Sequence, residues 1–452
     1  MTFFRMIRLT AAALAAALLA APASAEINVQ DLGAPGGIDL WLVEDHSIPF
    51  VALEMRFRGG ASLDLPGKRG ATNLMTGLLE EGAGDMDSRE FARQVEALAA
   101  SFSYSVGDDT LAISARFLSE NRDQAVALLR ESLVNPAFNQ KSIDRVRAQV
   151  NSNIESDLKD PRAIVARTFD AQTFGDHPYA TSKDGTLDSV VSLTRDDIVA
   201  AHRVALVRDR LYIAVVGDIT ADQLTALVAD LTDGLPESSD IALPGPAKPD
   251  LPGGITVIDY ATPQSVVTFA QPGIDRDHPD FFAAYLLNQI LGGGGFESRL
   301  MHEVREKRGL TYGVYSYLVD KDGAQLWMGQ VASANDRVAQ AIEVIKDEWQ
   351  KMRDTGVTAQ ELEDAKTYMT GAYPLRFDGN GPIANIAVEM QVEGLPTDYI
   401  ATRNDQVNAV TLEQINRVAR ELLDPAKLTF VVAGKPEGIE TTGGPESEAV
   451  TQ

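Results

Sequence analysis

The chain has no cysteine among its 452 residues, so it forms no disulfide and offers neither a thiol nucleophile nor a thiolate ligand. Basic residues are also in short supply, because 40 Lys and Arg stand against 65 Asp and Glu and leave a formal net charge of −25. A surface of that sign repels phosphate backbones and anionic lipid, so we expect no nucleic acid partner. No G-x-S-x-G motif is present, which removes a common serine hydrolase arrangement.

Histidine is sparse as well, and no two histidines lie within one helical turn of each other. The five are His46, His177, His202, His278 and His302. A zinc site needs three or more converging protein ligands. His302 beside Glu303 is the nearest approach to a ligand pair, and a single pair does not make a site. We therefore expect no metal or other cofactor to be bound by this chain alone.

Long apolar runs are missing except at the amino terminus. Arg5 and Arg8 precede an apolar stretch over residues 9–19, and a small-residue A-S-A motif ends at Ala25. This order is typical of an export signal, which we place at residues 1–25 with cleavage after Ala25. The sequence thus predicts a periplasmic protein with no membrane span once the signal is removed.

Two halves of similar size and similar element order follow the signal. A linker rich in Pro, Gly and Ser at 236–254 separates a domain at 26–235 from a domain at 255–437, and the polar tail at 438–452 is predicted to be disordered. The ending V-V-G-D at 215–218 corresponds to V-V-A-G-K at 431–435. We predict an α+β fold with two similar domains, related by internal duplication, that each pack helices on a mixed β-sheet.

The most informative stretch runs from Leu291 to Tyr317 and reads LGGGGFESRLMHEVREKRGLTYGVYSY. Its pattern predicts a helix that begins after Ser298 and ends at Gly309, followed by a strand that begins near Tyr312. The reversal at Gly309 would let the Arg305 guanidinium and the Tyr312 phenol reach one spot. Two such donors can stabilise an oxyanion or hold a peptide carbonyl. The residues alone favour a simpler interpretation, in which Arg305 complements the helix dipole and Tyr312 packs as an ordinary strand residue.

R-E-K-R-G-L-T-Y behind G-G-G-G-F-E-S-R-L resembles the carboxy-terminal half of the pitrilysin/insulinase family of zinc peptidases. The resemblance implies that Arg305 and Tyr312 are the Arg and Tyr that assist catalysis at a zinc ion held elsewhere. It also implies a clamshell half of pitrilysin type and a peptide substrate. The glycine run would allow close backbone approach to substrate, although a plain helix stop explains it equally well; its members are Gly292, Gly293, Gly294 and Gly295.

The resemblance supplies a test in the first half, where active members carry H-x-x-E-H on a helix and a further glutamate downstream. In the matching helix, Asn73 stands at the first histidine, Thr76 at the glutamate and Gly77 at the second histidine. The downstream ligand falls at Asn153. These side chains cannot replace two imidazoles and two carboxylates, so the resemblance implies a degenerate metal site.

The resemblance therefore implies the non-catalytic subunit of an exported heterodimeric zinc peptidase, inactive on its own. Arg305 and Tyr312 would act at the zinc of a homologous subunit that carries H-x-x-E-H. Two alternatives stay open. One is a catalytically inert scaffold or binding protein of the same fold, and the other is a self-sufficient hydrolase that uses residues no motif reveals.

Overall fold

The computed structural model describes residues 27–442 of the chain. The expected export signal at 1–25 and residues 443–452 of the expected tail lie outside the described residues. Within them the chain builds two mixed β-sheets, each with helices packed on it. The predicted α+β class is therefore confirmed. Between residues 27 and 442 no helix combines the length and the apolar character that a bilayer crossing requires.

The first sheet contains β1 (Gln30–Asp31), β2 (Asp39–Glu44), β3 (Phe50–Arg58), β4 (Ser101–Val106), β5 (Thr110–Leu118) and β6 (Leu211–Gly217). Their order across the sheet is β1-β2-β6-β3-β5-β4. Strand β2 runs parallel to β6, and the other neighbours are antiparallel. The helices of this half are α1 (Ala71–Thr76), α2 (Ser88–Ala97), α3 (Arg122–Val134), α4 (Gln140–Asp157), α5 (Pro161–Phe174), α6 (Leu187–Ser192), α7 (Arg195–Ala205) and α8 (Ala221–Thr232).

The second sheet contains β7 (Gly254–Asp259), β8 (Gln264–Pro272), β9 (Thr311–Lys321), β10 (Ala324–Ala334) and β11 (Thr429–Gly434), in the order β7-β11-β8-β10-β9. Its helices are α9 (Phe281–Asn288), α10 (Val338–Thr355), α11 (Ala359–Ala372), α12 (Asn380–Val392), α13 (Tyr399–Ala409) and α14 (Leu412–Leu422). Two π-helical turns, Gln289–Gly293 and Met301–Glu306, lie between α9 and β9. Residues 236–253, which join α8 to β7, form neither helix nor strand.

The two sheets repeat one topology. The order β2-β6-β3-β5-β4 matches β7-β11-β8-β10-β9, and in both sheets the last strand of the chain runs parallel to the first of these. The segment with α1 connects β3 to β4 in the first sheet. The segment with Arg305 connects the equivalent strands β8 and β9 in the second sheet. The degenerate helix and the Arg305 segment are therefore equivalent parts of the two halves.

Each half covers the other half's sheet with one of its own helices. Helix α5 of the first half packs on β8 and β11 through Val165 and Phe169, and α12 of the second half packs on β3 and β6 through Ala387 and Val388. Arg56 on β3 anchors α12, because its guanidinium donates to a Glu389 oxygen at 2.7 Å. Burial of these apolar faces in the neighbouring half makes the halves interdependent.

The tips of the two equivalent hairpins also meet. The β9–β10 tip contacts the β4–β5 tip through Lys321, whose ammonium lies 2.5 Å from a carboxylate oxygen of Asp108. Arg58 at the end of β3 pairs with Asp322 of the same tip at 2.7 Å. Such partly buried pairs fix orientation more than they add stability.

Helix α1, which carries Asn73 and Thr76, is short. It ends at Thr76, and residues 77–80 continue as turns that still bury Leu78 and Leu79. Glycine is a poor helix former, so Gly77 favours this early end. Apolar spacing alone does not distinguish a last helical turn from a packed series of turns.

Candidate functional site

Arg305 lies in the π-helical turn Met301–Glu306. The chain reverses direction shortly after that turn at Gly309, whose φ is +61°. The Gly309 N–H donates to the Arg305 carbonyl at 2.8 Å, and the Leu310 N–H donates to the Val304 carbonyl at 3.0 Å. A positive φ suits glycine, as the sequence predicts for this reversal. The second bond holds the residue before β9 against the turn, and β9 itself packs beside that turn.

The basic residues of this segment differ in what they contact. Lys307 and Arg308 both bind the carboxylate of Glu303, at 2.6 Å and 2.8 Å. Burial alone would raise the pKa of Glu303, but the hydrogen bonds from these two cations outweigh it and lower the pKa to about 2. The Arg305 guanidinium, in contrast, makes no hydrogen bond and no ion pair within residues 27–442. Its contact is the Phe296 ring, whose centroid lies 4.5 Å from the guanidinium carbon.

Tyr312 occupies a β-bulge at the start of the edge strand β9. Thr311 pairs with Ser333 and Val314 pairs with Val331, so two residues of β9 face the single residue between them on β10. The Thr311 hydroxyl fixes the bulge by donating to the Ala332 carbonyl at 2.6 Å. Bulges redirect side chains, and Tyr312 is 85% exposed. Its hydroxyl has no hydrogen-bond partner in the part of the chain that is described.

The glycine run takes its shape from close packing. Gly292 is buried, and a Cβ there would lie 2.7 Å from the Ser316 nitrogen of β9. Glycine is therefore needed where this turn closes over the strand. Gly293 is exposed, whereas Gly294 and Gly295 are half-buried. Substrate binding by these four glycines stays a prediction.

The degenerate metal helix is α1. Asn73 and Gly77 are half-buried on one side of it, and the buried Thr76 hydroxyl donates to the Thr72 carbonyl at 2.8 Å. Thr76 is thus occupied within its own helix and cannot activate a water. A Cβ at Gly77 would approach Cγ1 of Val146 on α4 to 3.2 Å, so the helices are packed for a glycine at the place of the second histidine.

Asn153 at the downstream ligand position lies on α4, where it is exposed and accepts a hydrogen bond from Gln149 at 3.0 Å. Throughout residues 27–442 no three His, Cys, Asp or Glu side chains are arranged to hold a metal ion. The side chains at the H-x-x-E-H positions do not fit zinc, whose protein ligands are imidazole, carboxylate and thiolate.

The sequence located Arg305 and Tyr312 but missed two of their neighbours. Phe296 is 62% exposed and lies in the short turn Gly295–Glu297, and nothing in its spacing marks it as the contact of Arg305. Thr311 precedes Tyr312 in a run that reads as an ordinary strand. An exposed phenylalanine beside glycines is the one signal that sequence inspection offers.

Comparison with known proteins finds two family models along the chain. Residues 40–186 match insulinase, peptidase family M16, and residues 192–369 match the peptidase M16 inactive domain. Among curated proteins, the chain is 26% identical over 389 residues to a non-peptidase homolog of Helicobacter pylori, covering 86% of this chain and 90% of that one. It is 24% identical over 402 residues to an uncharacterized zinc protease of Streptomyces coelicolor, with 86% of each covered.

A solved structure described as a peptidase M16 inactive domain, from Pseudomonas fluorescens, is also similar. It superposes with a TM-score of 0.85 at 31% identity and covers 91% of this chain and 98% of that one. The predicted resemblance to the pitrilysin/insulinase family is thus confirmed along both halves. The chain belongs to the insulinase family of peptidases, M16, and the proteins to which it is similar include a non-peptidase homolog and an inactive domain.

Proposed function

We propose that this chain is the non-catalytic subunit of an exported heterodimeric zinc peptidase and that it supplies Arg305 and Tyr312 to the partner's active site. One observation carries the proposal. Among the basic residues of its segment, Arg305 is left without a carboxylate, while Glu303 binds both Lys307 and Arg308. A cation with unused donors, in the turn that leads into a strand opening on an exposed phenol, is an arrangement suited to a ligand.

The chemistry of the pair follows from what its members can donate. The guanidinium offers N–H groups in a planar fork, and the phenol offers one O–H. Directed at a peptide carbonyl, they would orient the substrate and then stabilise the negative charge that develops on its oxygen. One such donor is worth about 2.7–4 kcal/mol of transition-state stabilisation in hydrolases of known mechanism.

Residues of the first half support the proposed roles of the two subunits. Asn73, Thr76 and Gly77 leave no general base and no metal ligand, and the Thr76 hydroxyl is bonded within α1. On this proposal, water activation comes from another chain. The expected partner is a homologous subunit that carries H-x-x-E-H, with peptide as the substrate and the periplasm as the compartment.

A second candidate is an inert scaffold or binding protein of the same fold. The similarity to a protein named as a non-peptidase homolog is consistent with it, because that name says that the relative is not itself a peptidase. On this alternative Arg305 and Tyr312 are surface residues without a catalytic role. The two candidates predict different outcomes when the chain is combined with an active homologue.

Reconstitution tests the proposal. The chain and an H-x-x-E-H homologue from the same genome are purified separately, then mixed, and cleavage of a fluorogenic peptide library is followed. We expect a stable heterodimer whose peptidase activity far exceeds that of either chain alone. Association without any gain in activity would support the scaffold, and cleavage by this chain alone would contradict both candidates.

A further inference from the structure

The contact between Arg305 and Phe296 differs from the other cation–π contacts of the described chain. Elsewhere, each cation above a ring is also tied down by a hydrogen bond or ion pair: Arg276 to Tyr399, Lys321 to Asp108, Lys346 to Glu343, and Arg403 to a backbone carbonyl. Arg305 has the ring and no such bond among residues 27–442. Among residues 27–442 the Phe296 ring is thus the one hydrogen-bond, ion-pair or ring partner of this guanidinium.

A ring orients a guanidinium without using its donors. The attraction acts through the ring face, which carries no lone pair at hydrogen-bond distance, so the N–H groups stay available. A carboxylate would hold Arg305 more tightly but would occupy those donors and weaken its field at a substrate oxygen. An aromatic partner is therefore the choice that fixes the direction of this side chain and leaves it able to bind.

The turn that carries Phe296 is itself held in place. The buried Ser298 hydroxyl donates to the Gly295 carbonyl at 2.8 Å, and Gly295 adopts a φ of +56° that favours glycine. Gly292 packs against Ser316 of β9 on the other side of the run. The glycine run thus sets the position of Phe296 relative to the strand that carries Tyr312.

We infer that Phe296 is a positioning residue, which holds the Arg305 guanidinium toward the substrate carbonyl while leaving its donors unbound. This inference rests on the proposed function and goes beyond it by giving the glycine run and Phe296 a role. Phe296 itself touches no reacting atom. Without the Phe296 ring, Arg305 samples other rotamers. Its guanidinium then spends a smaller fraction of the time in the orientation that binds the substrate carbonyl.

The first test uses the isolated chain with 15N-labelled arginine. The ring current of Phe296 shifts the Arg305 Nε–H resonance, so Phe296→Leu should return it to the ordinary arginine position, and Phe296→Tyr should keep the shift. This measurement does not depend on any partner or activity. An Arg305 resonance that is unchanged in Phe296→Leu would show that the ring does not hold the guanidinium, and the inference would be wrong.

The second test uses the heterodimer with the H-x-x-E-H homologue and a fluorogenic peptide. We expect Phe296→Leu to lower kcat by about two- to fivefold, the scale of an exposed cation–π contact, with KM changed little. Phe296→Tyr should restore the wild-type value. Tyr368→Leu is the matched control, because Tyr368 is also 62% exposed and makes no hydrogen bond or ring contact with Phe296, Arg305 or Tyr312 among residues 27–442.

The kinetic variants distinguish failure of the inference about Phe296 from failure of the proposed function. If Arg305→Ala lowers kcat and Phe296→Leu does not, the role of Phe296 is wrong while the proposed function stands. If Arg305→Ala leaves kcat unchanged in an active heterodimer, the proposed function is wrong and the role of Phe296 falls with it. Rescue by Phe296→Tyr, together with an unchanged Tyr368→Leu control, supports the inference.

Discussion

The segment with α1 and the segment with Arg305 occupy equivalent places in the two halves, yet they treat their polar groups in opposite ways. In the first half, Thr76 bonds to its own helix and Gly77 is packed against Val146. In the second half, Arg305 and Tyr312 keep donors that no described residue accepts. Polar groups that are bonded within the protein have no donor left for a ligand, whereas the exposed phenol and the guanidinium have donors that a ligand can accept. On the proposed function, one half of the duplication has lost its chemistry and the other half has kept it.

The largest effect is expected from removal of the guanidinium. In the heterodimer, Arg305→Ala should lower kcat about 10²- to 10³-fold, because one oxyanion donor is lost. Lys307→Ala is the control, since it removes a charge from the same turn that is already bound to Glu303. Steady-state kinetics with a fluorogenic peptide measure both, and an equal loss in the two variants would point to a general charge effect.

Removal of the phenol hydroxyl should have a smaller effect. Tyr312→Phe is expected to lower kcat about tenfold, the scale of one hydrogen bond to a charged oxygen. The melting temperature should stay unchanged, because the side chain is 85% exposed and its hydroxyl is unbonded in the described structure. Tyr315→Phe, on the same strand, should leave kcat unaltered. A loss of kcat in Tyr315→Phe as large as that in Tyr312→Phe would contradict a specific role for Tyr312.

The first half can be tested by restoring a ligand-type side chain. Gly77→His should lower the free energy of unfolding by about 1–2 kcal/mol, because a Cβ there meets Val146 and the helices must separate. Asn73→His, on the same side of α1, should change it by less than about 0.5 kcal/mol. Chemical denaturation measures both values. Equal tolerance of the two substitutions would mean that the helix is not packed around its missing ligand.

Helices α5 and α12, each of which packs on the sheet of the other half, offer a fourth comparison, based on pH. Burial raises the pKa of Asp170 on α5 to about 7, and burial likewise raises the pKa of Glu393, just after α12, to about 7. A carboxyl whose pKa is higher in the folded state stabilises the fold at low pH, and this contribution is lost as the pH rises from about 4 to about 7.

Asp170→Asn and Glu393→Gln should therefore each raise the free energy of unfolding at pH 8 by about 1 kcal/mol and have little effect at pH 4. Urea denaturation at the two pH values measures the difference. Arg162, exposed on the surface of α5, gives a control in Arg162→Gln, which should show no such dependence on pH. A destabilisation at pH 8 would show that these carboxylates are stabilised in their charged form.

Much of the fold was predictable from sequence, because strands and helices repeat in the same order and Gly309 marks a reversal. The positions of Arg305 and Tyr312 relative to that reversal followed from local pattern. The bulge at Tyr312 was not predictable, since it depends on the register of another strand, in which Thr311 pairs with Ser333 and its hydroxyl binds the Ala332 carbonyl. The exchange of α5 and α12 between halves was also missed, because it joins residues far apart in the chain, such as Arg56 and Glu389.

The contact between Phe296 and Arg305 shows the limit of sequence reasoning at the site itself. The two residues lie in one motif, but only the packing of Gly292 against β9 brings the turn beneath the guanidinium. The sequence thus singled out Arg305 and Tyr312 and left the contacts around them unknown. For Asn73, Thr76 and Gly77 the residue types alone were decisive, because none of them is a zinc ligand of the usual kind.

Metal analysis combined with a peptidase assay on each purified species tests the central claim most directly. We expect no stoichiometric zinc and no cleavage from this chain alone, and zinc together with cleavage once it is joined to the H-x-x-E-H homologue. Tightly bound zinc in the isolated chain, accompanied by proteolysis that needs no second subunit, would contradict the account.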